Sequence, residues 1–557
     1  MTGKISCDIV VKVLAGQGVT DAVISPGSRN TPLILALDAE PRIEKHTVID
    51  ERSAAFIALG MSQLTRRPTL LCCTSGTALL NYAPAVAEAY YQGVPLIVLS
   101  ADRPDEWIDQ DDSQTLRQRE ALANYVKASF DIPEFDASAE SLRWYANRIA
   151  NDAMLTSLSR RPGPVHLNMH FDAPLSAVCA AAPPQRLIAD TSCHTLLPPD
   201  LMKELASYAA TRKILIIAGS HVPGHRLNRA FAVLSHIPNV AIWTETTANI
   251  HTPGVITGID RTLLAIRDED PAPYAPDLVI SFGGALISRM AKDFIRRLDR
   301  TEHWSIGWRR DRLADPFQCL SRCIECDPEV FMPHFANALC RLHPESSYAE
   351  IWQAADIRGH DRLNRAVQTA PWSALKAFGI LLARIPRKYN LQLSNGTSIR
   401  YAQLFGTRNI HACYCNRGVS GIDGSTSTAI GAAVKYGHGT LLISGDMSFA
   451  YDIGAMATRF VPSDFRIVVI NNAGGEIFRF ISGTAALSSR EEYFSVAPLL
   501  PLKALAKAYG FDYYQADSEK ALREQTGAFL APSLRPAVME VCVPPNVSAR
   551  TLTDYFK

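Results

Sequence analysis

The feature that most constrains this chain is a series of short apolar runs, each stopped by a small or polar turn residue and followed by a helix-like segment. Residues 23–24, 69–73, 95–100, 213–218, 278–282, 440–444 and 466–470 all have this form. Runs of this length bounded by Gly, Ser, Asn or Asp read as strands. Strands that stay apolar without alternating are buried on both faces, as in parallel sheets covered by helices. The expected class is therefore α/β, with parallel sheets covered on both faces.

Two shifts in composition divide the series. Residues 176–200 are rich in Ala and Pro and lack periodicity, as a linker would. Residues 340–372 are polar and helical in pattern. Three consecutive blocks result, 1–180, 195–345 and 365–557, within a length of 557 residues that accommodates several domains. Lys plus Arg number 56 against 55 Asp plus Glu, so no net field favours nucleic acid or an anionic membrane as partner. The N-terminal stretch is broken by Cys7, Asp8 and Lys12, and no signal peptide is expected. Residues 78–101, the most apolar long stretch, contain Asn81, Pro84, Glu88, Gln92, Gly93 and Pro95 and are no membrane span. A cytoplasmic chain is expected, with its 12 cysteines as free thiols. Cys319, Cys323 and Cys326 lack the paired spacing of a zinc site and read as ordinary small buried side chains.

The most specific chemical signal lies in the third block. One strand runs into Gly445-Asp446, and Asn472 follows 26 residues after Asp446, in Asn471-Asn-Ala-Gly-Gly475 at the end of another strand. Either segment alone would be an ordinary turn. Together they place a carboxylate (Asp446), an amide oxygen (Asn472) and a backbone carbonyl (Gly474) at the carboxyl ends of parallel strands, where open sheets bind ligands. Such hard oxygen donors suit Mg²⁺ with phosphate oxygens. The glycines allow a diphosphate to approach the backbone. The pattern resembles the thiamine-diphosphate motif, although Met447 stands where that motif often has Gly. In the first block a strand-like HTVID leads to Glu51 at a helix start, the place of the glutamate in thiamine-dependent enzymes.

Further segments narrow the likeness. They are Ile24-Ser-Pro-Gly-Ser-Arg29-Asn-Thr-Pro-Leu33, Asp50-Glu-Arg-Ser-Ala54, Thr74-Ser-Gly-Thr-Ala78, Ser100-Ala-Asp-Arg-Pro104, Gly163-Pro-Val-His166, Asn416-Arg-Gly-Val-Ser-Gly-Ile-Asp-Gly424 and Asn471-Asn-Ala-Gly-Gly-Glu-Ile-Phe478. Covering the first and third blocks in order, they resemble the 2-succinyl-5-enolpyruvyl-6-hydroxy-3-cyclohexene-1-carboxylate synthase family of menaquinone biosynthesis. The resemblance implies a pyrimidine-binding first block, a central α/β block and a diphosphate-binding third block. It implies thiamine diphosphate with Mg²⁺ (or Mn²⁺), and a homodimer or homotetramer with active sites between chains. The implied substrates are 2-oxoglutarate, which is decarboxylated, and isochorismate, which receives the remaining fragment.

The same resemblance assigns residues. Glu51 would hydrogen-bond the cofactor's aminopyrimidine ring and promote its imino tautomer. Ile422 would be the apolar wedge that keeps the cofactor bent. Gly445, Asp446, Met447, Ser448, Asn472 and Gly474 would surround the diphosphate, with Asp446, Asn472 and Gly474 on the metal. Ile477 and Phe478 would line the pocket. Arg29, Arg103, Arg289, Arg400 and Arg417, with Gln114, would serve the substrates; both are dianions, and arginine binds carboxylates through its fork. The chain departs from the family at Ser113, at Gly396 and at Met290, where Lys292 could substitute one turn along. An acetolactate-synthase relative would lack the Ser-Pro-Gly-Ser-Arg and Ser-Gly-Ile-Asp-Gly segments. A non-catalytic scaffold would need no Glu51, and Gly283-Gly284 lacks the helix start of a dinucleotide site.

Overall fold

The computed structural model describes residues 2–135, 140–178, 185–191, 195–308, 312–407 and 410–557. Their strands form three parallel sheets. The first holds β1 (Asp21–Ile24), β2 (Glu44–Thr47), β3 (Thr69–Cys73), β4 (Leu96–Asp102), β5 (Ser129–Ile132) and β6 (Val165–His170), in the order β2-β1-β3-β4-β6-β5. The second holds β7 (Ile214–Ala218), β8 (Val240–Thr244), β9 (Leu278–Phe282), β10 (Glu302–Ile306) and β11 (Leu320–Ile324), ordered β11-β10-β9-β7-β8. The third holds β12 (Asn390–Leu393), β13 (Ala412–Cys415), β14 (Thr440–Gly445), β15 (Phe465–Asn471), β16 (Asp512–Ala516) and β17 (Ala537–Cys542), ordered β13-β12-β14-β15-β17-β16. The first and third orders are the same once the strands are renumbered, a likeness with no counterpart as a sequence repeat.

Strands β3, β4, β6 and β7 are buried at every position. In β3, β7 and most of β4 the result is a continuous apolar run without alternation, whereas β6 alternates, its His166, Asn168 and His170 being paired with Ser100, Asp102 and Asp131. The expected class is observed, and the expected strands at 69–73 and 278–282 match β3 and β9 end to end. The HTVID run is a correction. Strand β2 stops at Thr47, and Ile49 is 84% exposed, so residues 48–50 form the turn into the Glu51 helix. An edge strand needs less chain to satisfy its single neighbour, β1. Of the clustered cysteines, Cys326 is buried in the second sheet's core, but Cys323 is exposed on edge strand β11.

Packing gathers the chain into two compact units. One comprises Met1–Ser192, Gly418–Gly437 and Tyr451–Phe465; the other comprises Cys193–Arg417, His438–Ala450 and Arg466–Lys557. Within the first unit, the Glu51–Thr65 helix packs on the Ser425–Tyr436 helix almost backbone to backbone. A Cβ on Gly60 would stand 2.0 Å from the Thr428 carbonyl oxygen, and one on Gly431 would stand 1.9 Å from that of Ile57. In the second unit the Tyr348–Thr369 helix sets Trp352 edge-on against Trp243, with ring centroids 5.1 Å apart.

Candidate active site

In the second unit the site grows from a switch point. Strands β12 and β14 are neighbours although β13 lies between them in sequence, so their connections leave in opposite directions and open a crevice at the carboxyl ends. Asp446 opens the Asp446–Tyr451 helix directly after β14 and is only 2% exposed. Its Oδ1 accepts from the Met447 N–H at 2.8 Å, and its Oδ2 accepts from the Gly474 N–H at 2.8 Å. Burial pushes this carboxyl's pKa up, and the backbone donors pull against that.

Asn472, after β15, donates through Nδ2 to Glu476 Oε2 at 2.5 Å. Its Oδ1 is then turned away and meets no hydrogen-bond donor among the described residues. A buried acceptor left unpaired costs about 1–3 kcal/mol, so a native structure that keeps one calls for a partner. Glu476, whose Oε1 accepts from the Ala549 N–H at 2.7 Å, is pushed by burial up to about 7. Gly474 has φ of 120°, and a Cβ there would meet the Ser495 carbonyl oxygen at 2.4 Å, so only glycine fits. Beside Gly445 a Cβ would meet no heavy atom within 4 Å, which leaves open space next to Asp446. The donor set and the orphaned amide oxygen fit a hard divalent cation.

The other predicted residues of this segment lie around that point. Met447 is half-buried, its sulfur 2.8 Å from where a Cβ on Gly475 would sit, and Ser448 is buried. Ile477 and Phe478 open the short Ile477–Phe480 helix, half-buried, with the Phe478 ring tilted against Phe494 at 5.7 Å. Two residues escaped the sequence reading. Glu476 orients Asn472. Arg479, paired with Glu491 at 2.7 Å, keeps a buried Nη1 with no acceptor among the described residues and raises the local positive potential felt by Asp446 and Glu476. The available signal was their place just beyond the Asn471-Asn-Ala-Gly-Gly475 turn, Glu476 at the cap and Arg479 within the short helix that follows.

The basic residues of this unit gather at a second point. Arg417 Nη1 donates to Asn395 Oδ1 at 3.1 Å. Arg400, on the Thr397–Phe405 helix, has its pKa lowered by burial first and then by Arg417 and Arg289. Arg289 opens its helix with a side chain 84% exposed and an ion pair to Asp293 at 3.4 Å. Lys292 is half-buried and senses both Glu245 and Arg417. Met290 instead packs against the hydrophobic cores. Beneath the cluster the buried Glu245 accepts from the Ile287 and Ser288 N–H groups at 2.7 and 2.9 Å. Three guanidinium groups and an ammonium thus lie within electrostatic reach of one another, with Glu245, Asp260 and Asp293 among them.

In the first unit Glu51 is the first residue of its helix and half-exposed. Asp50 caps that helix, its Oδ1 accepting from the Arg52 N–H at 3.0 Å. The Glu51 charge reaches the buried Cys73 thiol and Tyr82 hydroxyl at the end of β3. Arg29 follows β1 and donates from Nη1 to the Phe171 carbonyl at 2.8 Å. Its pKa is lowered first by burial and then by neighbouring Arg103, so the two cations are close. Arg103 follows β4, donates from Nε to the Ser113 carbonyl at 3.1 Å and pairs with Asp112. Gln114 is exposed at φ of 55°, its backbone beside Gly76. The glutamine knit into the fold is Gln118, which accepts from the Gly76 N–H at 2.7 Å and donates to Asn168 at 2.9 Å. Ile422 is half-buried in a loop whose Gly418 and Val419 N–H groups donate to buried Glu88 at 2.5 and 2.7 Å.

Asp21, Glu44 and His46 form a cluster of metal-ligand spacing at the amino ends of β1 and β2. The Lys435 ammonium pairs with Asp21 and lies 3.2 Å from Glu44, so a cation of the chain itself already stands between the two carboxylates.

Comparison with known proteins identifies the family. Residues 6–122 match the N-terminal thiamine pyrophosphate binding domain of thiamine pyrophosphate enzymes, and residues 395–541 match the C-terminal one. The chain is 40% identical to the 2-succinyl-5-enolpyruvyl-6-hydroxy-3-cyclohexene-1-carboxylate synthase of Porphyromonas gingivalis, over 99% of this chain and 97% of the relative. It is 36% identical to the enzymes of that name from Flavobacterium psychrophilum, over 98% of each chain, and Bacteroides fragilis, over 98% of this chain and 97% of the relative. Two thiamine pyrophosphate binding regions and end-to-end similarity at this level place the chain in the 2-succinyl-5-enolpyruvyl-6-hydroxy-3-cyclohexene-1-carboxylate synthase family of thiamine pyrophosphate enzymes.

Proposed function

We infer that this protein is a transferase of menaquinone biosynthesis that decarboxylates 2-oxoglutarate and adds the resulting four-carbon fragment to isochorismate. The product is 2-succinyl-5-enolpyruvyl-6-hydroxy-3-cyclohexene-1-carboxylate. The observation that carries the reading is Asn472 Oδ1, a buried acceptor with no donor among the described residues, beside the buried Asp446 and the forced glycine at 474. Asp446, Asn472 and the Gly474 carbonyl would hold Mg²⁺, or Mn²⁺ in its place, with Glu476 fixing the amide's orientation. Thiamine diphosphate, when bound, supplies the nucleophilic carbon and accepts the electrons released on decarboxylation.

The chain's own groups then divide the work. Glu51 holds the pyrimidine ring by a hydrogen bond and governs a proton at that ring nitrogen. Ile422, Ile477 and Phe478 give an apolar wall that excludes water. Gly445, Met447 and Ser448 line the diphosphate's path. Arg400, Arg417, Arg289 and Lys292 offer carboxylate partners in one unit, and Arg29 and Arg103 in the other, with Gln114 at the loop beside them. Residues 1–180 act as the pyrimidine-binding domain, 195–345 as the central domain and 365–557 as the diphosphate-binding domain. The active unit is a homodimer, or a homotetramer made of two such dimers, with each site shared between chains.

Among the described residues, no helix is long and apolar enough to cross a membrane, and the described cysteines are free thiols. Both features support a cytoplasmic place. The test is to incubate the protein with thiamine diphosphate, Mg²⁺, 2-oxoglutarate and isochorismate and to identify the product by mass. Release of CO₂ without a ring-addition product would refute the acceptor assignment.

A further inference from the structure

The carboxyl end of β6 touches both Arg29 and Arg103. Phe171 accepts from Arg29 Nη1 at 2.8 Å. The preceding residue, His170, is buried and reaches the Arg103 backbone, with Nδ1 2.5 Å from the Arg103 carbonyl oxygen. Its Nε2 lies 3.0 Å from Asp131 Oδ1 on β5. The Arg103 N–H donates to Asp102 Oδ1 at 2.8 Å, and Asp102 Oδ2 accepts from Asn168 at 2.9 Å. Asn168 also donates to Asp131 at 3.0 Å. The peptide of Arg103 is therefore gripped on both sides by a closed polar network spanning β4, β5 and β6.

We propose that His170 is a positioning residue that braces the Arg103 backbone and so holds Arg29 and Arg103 side by side as one carboxylate-binding pair. The proposal deepens the functional reading above and rests on it: the carboxylate is that of the ring acceptor. Both imidazole nitrogens face acceptors, so the ring must carry two protons to satisfy both. Burial alone would lower the His170 pKa, but Asp131, the Arg103 carbonyl and Asp102 outweigh burial and raise it to about 9. The other charged groups nearby are Asp105, 3.7 Å from Nδ1 and largely exposed, and Arg103 itself. Arg119 acts on the ring through Asp131, and Asp172 and Asp112 act on Arg29. The folded value is above the ordinary histidine value, so the brace contributes fully below about pH 6.5 and is lost as pH rises through about 9.

His170→Gln keeps the size but can no longer donate to both acceptors with an imidazolium charge. In the holoenzyme at about pH 7.5, kcat/KM for isochorismate should fall by roughly 10-fold, the low end of a charged hydrogen bond. Thiamine-diphosphate affinity and kcat/KM for 2-oxoglutarate should stay within about twofold. The wild-type isochorismate profile should show an alkaline limb near pH 9 that the variant lacks, and the gap between them should close above it. A gap independent of pH, or one shared equally by both substrates, would overturn the brace. A wild-type protein that makes no product from these substrates overturns the functional reading instead. In that case thermal melts still decide: a wild-type-minus-variant Tm difference that closes through pH 9 supports the brace, and a constant difference overturns it.

Discussion

The first and third sheets share one strand order, yet the acids at their helix starts follow strands that do not correspond, edge strand β2 in the first and interior strand β14 in the third. After β2 the chain makes a short turn and starts a helix with Glu51, a half-exposed acid whose helix is capped by its neighbour Asp50. After β14 it starts a helix with Asp446, an acid 2% exposed and gripped by two backbone N–H groups. In both, the carboxyl end of a parallel strand leads into a helix that starts with an acid. Burial and partners then separate the two, one acid half-exposed at its helix start and the other buried under two backbone donors. The third sheet also orphans an amide oxygen, on Asn472. The first sheet instead gathers arginines over a satisfied polar network.

The sharpest way to break this contrast is Glu51→Gln. If Glu51 works through its proton, turnover should fall about 10²–10⁴-fold, the usual span of general acid–base contributions. Thiamine-diphosphate affinity, read by calorimetry, should be nearly unchanged. Near wild-type turnover would make Glu51 only a helix-start acid, and the two sheets would no longer divide the chemistry.

Asp446→Ala should show the opposite split. Mg²⁺-dependent thiamine-diphosphate affinity should drop by at least about 100-fold, beyond what losing an outer-shell partner of a metal ligand causes. The far-ultraviolet circular dichroism should stay that of the wild type. Unaltered calorimetric binding would remove the metal assignment. Mixed with the Glu51 variant under subunit exchange, this variant should recover part of the activity. No recovery despite demonstrated exchange would place the whole site within one chain.

Arg400→Ala sharpens the contrast between the two groups of arginines. One charged hydrogen bond contributes roughly 1.5–3 kcal/mol, so kcat/KM for a dianionic substrate should fall about 10- to 150-fold. Varying 2-oxoglutarate and isochorismate separately shows which of them this unit holds. A loss confined to cofactor binding would make Arg400 part of the diphosphate site instead. The smallest effect is expected of Glu476→Ala, which frees the Asn472 amide to rotate. Metal affinity should weaken about 10- to 100-fold, the range seen when an orienting partner is lost. If affinity is unchanged in a metal titration, Asn472 needs no orientation and its orphaned oxygen is not a ligand.

Much of this was legible from the chain alone, for a physical reason. Strands buried on both faces are continuously apolar wherever no polar partner is buried with them, so the parallel sheets declare themselves in runs such as 69–73 and 278–282. A metal and a diphosphate need oxygen donors and glycines at strand ends, so Asp446, Asn472 and Gly474 stand out by residue type and spacing. Tertiary structure alone decided what depends on distant partners. Only the folded chain shows that β2 ends at Thr47, since an edge strand's length is set by its neighbour. Only there do Gly60 and Gly431 meet a facing helix, across more than 360 residues of sequence. The same holds for Gln118 joining the buried network beside Gly76, for Glu476 aiming the Asn472 amide, and for His170 bracing Arg103. A hydrogen bond is a property of two groups and their burial, and a sequence states only one of them at a time.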